Sequence, residues 1–153
     1  MSETPELPSP EHTAPAGVPD EIVDAVGKVT EALETCERAR GHLYSFHQLT
    51  GSADIALGEA VQALRDAGRD DVAERIERDL LGRNVIEGRW TFQIVEDYDD
   101  GYWSLFREIE REVRDTLTDG RRHIYEARMK QRERTDGERG HEATPAELPG
   151  EGR

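Results

Sequence analysis

Apolar residues recur at steps of three, four and seven through the first third of this chain: Ile22, Val26, Val29, Leu33, Cys36, Leu43 and His47. That spacing lines up one face of a helix with about 3.6 residues per turn and is incompatible with the period of two of a half-buried strand. Pro19 and Asp20 precede it as helix-start signals and Gly51 follows it, so the first helix is expected over 20–51. Ser52 reads as the N-cap of a second helix, with Leu57, Ala60, Val61 and Leu64 on one face and Gly68 at its end. Asp71 and Glu74 have the spacing of a capping box for a third helix carrying Val72, Ile76 and Leu80, with Gly82 beyond it.

Residues 102–127 carry the strongest amphipathic pattern, with Tyr102, Leu105, Phe106, Ile109, Val113, Leu117, Ile124 and Ala127 on one broad stripe. Gly120 is expected to bend this helix without breaking it. The segment 84–101 is ambiguous. Trp90, Phe92 and Ile94 alternate as in a strand, while Ile86, Trp90, Ile94 and Tyr98 step by four as in a helix. No second strand candidate exists to pair with it, which favours a helix with a break at Asp99 to Gly101. The expected fold is all-α, an antiparallel helical bundle of four to five helices with short connections.

The first nineteen residues hold five of the seven prolines, and the last nineteen are rich in Gly, Pro and Glu. Both ends, 1–19 and 135–153, are expected to be disordered tails around one bundle domain over 20–134. A net charge of −14 opposes sequence-independent nucleic-acid binding and attraction to anionic membranes, both of which need cationic surface. The exception is RRHIYEARMKQRER, residues 121–134, which reads as positive charge complementing a helix C-terminus. With one cysteine, Cys36, the chain has no disulfide framework and no cysteine-based zinc site. It has no apolar run near the ~20 residues that span a bilayer. A soluble, cytoplasmic protein is the expectation.

The stretch RGHLYSFHQLTG, residues 40–51, concentrates the polar chemistry. At ~100° per residue, His42 and His47 point roughly 140° apart, so one helix cannot offer both to one metal. Ala39 and Tyr44 stand where a Glu-x-x-His motif would need glutamate. His47 and Arg40 instead share the apolar stripe, with Tyr44 on its flank. A buried arginine requires a carboxylate, because an unpaired buried charge is very costly. Two readings stand side by side. One is a satisfied polar network in the bundle. The other is a pocket for an anionic or aromatic small ligand held by Arg40, Tyr44 and His47, with Trp90 or Tyr98 as its apolar wall. Asp54, Glu59, Glu87 and Glu96 are the candidate acidic partners.

Other chemistry lacks support. EDYDDGYW, residues 96–103, fails the calcium-loop pattern at Tyr98, Gly101 and Arg107, and Asp99 and Asp100 read better as caps of the next helix. Cys36 on the core stripe reads as a buried, inert thiol, and no serine lies in a nucleophile motif. Phosphate-binding glycine loops are absent, and no metal site or cofactor is expected.

GHLYSFHQLTGSAD, residues 41–54, and GRWTFQIVEDYDDGYW, residues 88–103, together resemble small acidic helical proteins of actinobacterial type. The resemblance spans about the central two thirds of the chain and implies no activity or functional residue. The small secreted WXG hairpin family is a poorer fit, since no W-x-G turn follows Trp90 or Trp103 and no tyrosine has an acid four residues later. The functional expectation is a non-enzymatic module acting through protein contacts, most simply a homodimer, using the aromatic surface from Trp90 to Trp103 and the tails. The alternatives are a small-ligand-binding protein or small enzyme built on the Arg40 cluster, and a carboxylate/His metal bundle.

Overall fold

A computed structural model describes residues 5–145 of the chain. Among these residues it is helical without a strand: α1 (Asp20–Asp66), α2 (Asp70–Asp79), α3 (Thr91–Tyr98), a π turn (Asp99–Trp103), α4 (Ser104–Thr118) and α5 (Ile124–Glu133), with a 3-10 turn at Pro10–His12. The π turn joins α3 and α4 into one continuous helix, so four helical rods are formed. No described helix is long and apolar enough to cross a membrane.

The described residues fold as two compact units, one of residues 5–33 with 107–145 and one of Glu34–Phe106. In the first, Val23, Val26 and Ile124 are buried beside an unusually polar set, Glu110, Arg114 and Thr118. Arg114 Nε donates to Glu110 Oε1 at 3.1 Å, and Thr30 Oγ1 donates to the same oxygen at 3.1 Å. Arg114 Nη1 also donates to the Gly120 carbonyl, so the buried charges are paired and hydrogen-bonded as burial demands. In the second unit Cys36, Val61, Ala73 and Val95 are buried.

Several expected boundaries move. The helix expected to stop at Gly51 continues to Asp66, and Ser52 lies inside it. Ser52 Oγ donates to the Gln48 carbonyl four residues back, which satisfies the hydroxyl without a cap. Gly51 keeps a helical backbone, and the true stop is Gly68 at φ +77°. There Arg69 N–H reaches the Leu64 carbonyl and Gly68 N–H the Arg65 carbonyl, the paired bonds of a Schellman motif. Asp71 is not a cap either: it lies in the first turn of α2 and takes two bonds from Arg69.

Residues 84–90 are not helical. Ile86 and Arg89 form an isolated bridge around a turn whose third residue, Gly88, has φ +74°. The helix starts at Thr91 because Gln93 Oε1 accepts the otherwise unpaired Trp90 N–H. No break follows at Asp99 to Gly101, where the backbone widens into the π turn and Ser104 N–H bonds to the Asp99 carbonyl five residues back. Gly120, expected to bend a helix, ends one: Asp119 and Gly120 both take positive φ, 51° and 70°.

Of the expected tails, residues 1–4 and 146–153 lie outside the described residues. Within them, the 3-10 turn region is held by the basic segment. His12 Nδ1 donates to the Arg122 carbonyl, and Arg121 Nη1 donates to the carbonyls of Pro10 and Thr13. Arg134 Nη2 donates to the Glu6 carbonyl at 2.7 Å. Arg121 and Arg134 are therefore clasps on residues 6–13, a role beyond the helix-end complement read from their charge.

Candidate functional site

The second unit brings the inner face of α1 against α3 and the π turn through a ladder of polar contacts. Cys36 Sγ lies 3.2 Å from Tyr98 Oη. One turn further along α1, Arg40 donates through Nε to Asp99 Oδ1 at 2.7 Å and through Nη2 to Oδ2 at 2.9 Å. His47 Nδ1 lies 2.7 Å from Thr91 Oγ1, and Asp54 Oδ1 accepts the Gly82 N–H at 2.9 Å. Partner numbers fall from 99 to 82 as positions on α1 rise from 40 to 54.

Arg40 is the centre of this ladder. Its guanidinium lies over the Trp103 ring at 4.2 Å and near the Tyr44 ring at 5.4 Å, so an aromatic face and a bidentate carboxylate satisfy it together. The two side chains keep about a quarter of their surface exposed, 26% and 23%. Arg40 holds the Asp99 carboxyl below the usual aspartate range, chiefly through these hydrogen bonds. Tyr98 is pushed up to about 12, first by its hydrogen bond to Cys36 and then by burial.

Sequence reasoning placed Arg40, Tyr44 and His47 together, and the structure does so: the Tyr44 and His47 rings meet edge-on at 6.2 Å. The carboxylate is a different one. Arg40 takes Asp99 and none of Asp54, Glu59, Glu87 or Glu96. Asp54 is engaged at Gly82, while Glu59, Glu87 and Glu96 lie on the exposed surface. Asp99 was missed because a helix break was expected at that point. An unbroken step of four through Thr91, Val95, Asp99 and Trp103 is the signal that could have found it. Trp90, expected as a pocket wall, is 58% exposed and packs edge-on against Phe92 at 5.3 Å. It borders an open groove of about 850 Å³, also lined by Thr50, Ala53, Asp54, Leu57 and Thr91.

Arg40 is bonded to Asp99 and His47 to Thr91, and neither lines the groove beside Trp90. Among the described residues no group of three or more His, Cys, Asp or Glu side chains is placed to hold a metal ion. No protein-family model, curated protein or solved structure matches the chain.

Proposed function

We propose that the chain is a non-enzymatic protein-interaction module that works as a homodimer. The observation that carries this reading is the apolar surface of the second unit. Phe46, Leu49, Ile55, Ile86, Trp90 and Tyr102 are all exposed there, Leu49 and Ile55 by more than two thirds, while Arg40 and His47 of the same unit are paired internally. Large apolar residues clustered on a surface mark sites of association, whereas a satisfied polar ladder has no ligand to seek. The ladder from Cys36 to Asp54 supports an antiparallel pairing of α1 with α3 as part of the same reading. A single unpaired cysteine fits a reducing, cytoplasmic setting.

Sedimentation velocity on the full chain tests the reading. A dimer at micromolar concentration is expected. A monomer at every concentration, with no partner retained in a pull-down, would remove its basis.

The groove beside Trp90 favours a second reading, a small aromatic ligand stacked on the exposed indole. Quenching of tryptophan fluorescence by such a ligand, abolished in Trp90→Ala, is the outcome that reading requires.

A further inference from the structure

We infer that the homodimer forms by antiparallel self-pairing of α1 along the seam Ala39, His42, Phe46, Leu49, Ala53 and Ala56, a specification that rests on the homodimer reading above. These six residues step by three and four along α1, so they share one stripe, and all six are exposed. The stripe is centred about 130° around α1 from the line of Cys36, Arg40 and His47 that packs on α3 and the π turn, which leaves it exposed. Steps of three and four are also the spacing with which two helices interlock side chains at a long contact.

The seam is complementary to itself only when reversed. In the register that sets Phe46 against Leu49 of the second copy, His42 meets Ala53 and Ala39 meets Ala56. The two large side chains then fill the centre twice over, and alanines at both ends let the backbones approach. In an antiparallel pair the residues flanking such a seam on the same side meet each other. On α1 these are Arg38, Ser45, Ser52 and Glu59, all exposed. The same register brings Arg38 against Glu59 of the copy, Ser45 against Ser52, and the reciprocal pairs by symmetry.

Competing arrangements lose this match. A slip by seven residues sets Phe46 against Ala56 or His42 instead of Leu49. A parallel pair places Arg38 against Leu43 and Glu59 against Leu64, with no charge partner for either. Further out, Asp66 and Glu31 of the copy would meet as like charges, so the seam ends before them. Charge complementarity therefore selects a second copy of this chain, reversed, as the occupant. Ala53 also lines the groove bordered by Trp90, so one end of the seam adjoins that groove.

The test is sedimentation equilibrium of the full chain and four variants, with helicity checked by circular dichroism. Leu49 is largely exposed, so Leu49→Glu should leave the fold intact and give a monomer. Arg38→Glu and Glu59→Arg should each weaken the dimer by at least about tenfold in Kd, and the double swap should return it to within about threefold of the parent. A Leu49→Glu protein that remains folded and dimeric overturns the seam while leaving the homodimer reading standing. A double swap no tighter than either single change overturns the register. A parent chain that is monomeric throughout overturns both the seam and the homodimer reading beneath it.

Discussion

Arg40 grips Asp99 through two parallel hydrogen bonds of 2.7 and 2.9 Å, across 59 residues of sequence, with the Trp103 ring beneath the guanidinium. This contact fixes how α1 meets the π turn. Because Asp99 titrates below its unfolded value, the stability it adds is fully present above the unfolded aspartate range near about pH 4 and is lost as pH falls through the lower folded value. Thermal melts across the acid range should show this loss in the parent and a flatter acid limb in Asp99→Asn. In a double-mutant cycle, Arg40→Ala should cost much less in the Asp99→Asn background than in the parent.

Gly51 has a helical backbone with nothing within 4 Å of the position a Cβ would take, so Gly51→Ala should stabilise the chain by about 0.5–1 kcal/mol. Gly120 sits at φ +70°, where a side chain is strained, and Gly120→Ala should cost about 1–2 kcal/mol. Denaturant titrations of the two variants check the pair. A destabilised Gly51→Ala would mean that α1 is interrupted there.

Glu110 and Arg114 are the buried ion pair of the first unit, with side chains 8% and 11% exposed. Removing one partner strands the other charge, so Glu110→Ala should lose about 3–5 kcal/mol. Replacing both with apolar side chains, as in Glu110→Leu with Arg114→Met, should recover most of that loss. Chemical denaturation of the single and double variants measures it.

Tyr98 ionises at about 12 because its hydroxyl is bonded to Cys36 and partly buried. Cys36→Ala removes the first and larger cause. Ultraviolet titration of the phenol should show one tyrosine moving down toward the ordinary value of about 10 in that variant.

Helix content and the inner face of α1 were legible from the 3.6-residue period alone, and so was the grouping of Arg40, Tyr44 and His47. The end of α1 was not. Gly51 and Ser52 carry stop and start signals, yet these are weak local preferences, and α1 runs through them to the buried Val61 and on to Asp66. The partner of Arg40 was hidden by the same kind of local signal, since Asp99, Asp100 and Gly101 resemble a helix break and instead form a π turn. The pairing of Glu110 with Arg114 was missed because it lies one residue off the apolar stripe, where a charged residue is read as solvent-facing.

That one-residue offset comes from the π turn. An α-helix closes its bonds over four residues and a π turn over five, so each such turn inserts one residue and rotates everything after it by about 100°. After Asp99, the inward positions run from the half-buried Phe106 to the buried Glu110, Arg114 and Thr118, while Leu105, Ile109 and Leu117 of the apolar stripe are left exposed. Deleting Gly101 would return the rod to ordinary pitch with the charged pair still facing inward, whereas closing the π turn to α pitch with Gly101 kept would swing those leucines and the isoleucine inward in its place. The sequence thus encodes two possible phases for α4, and a single residue of backbone selects between an oily and an ionic interior.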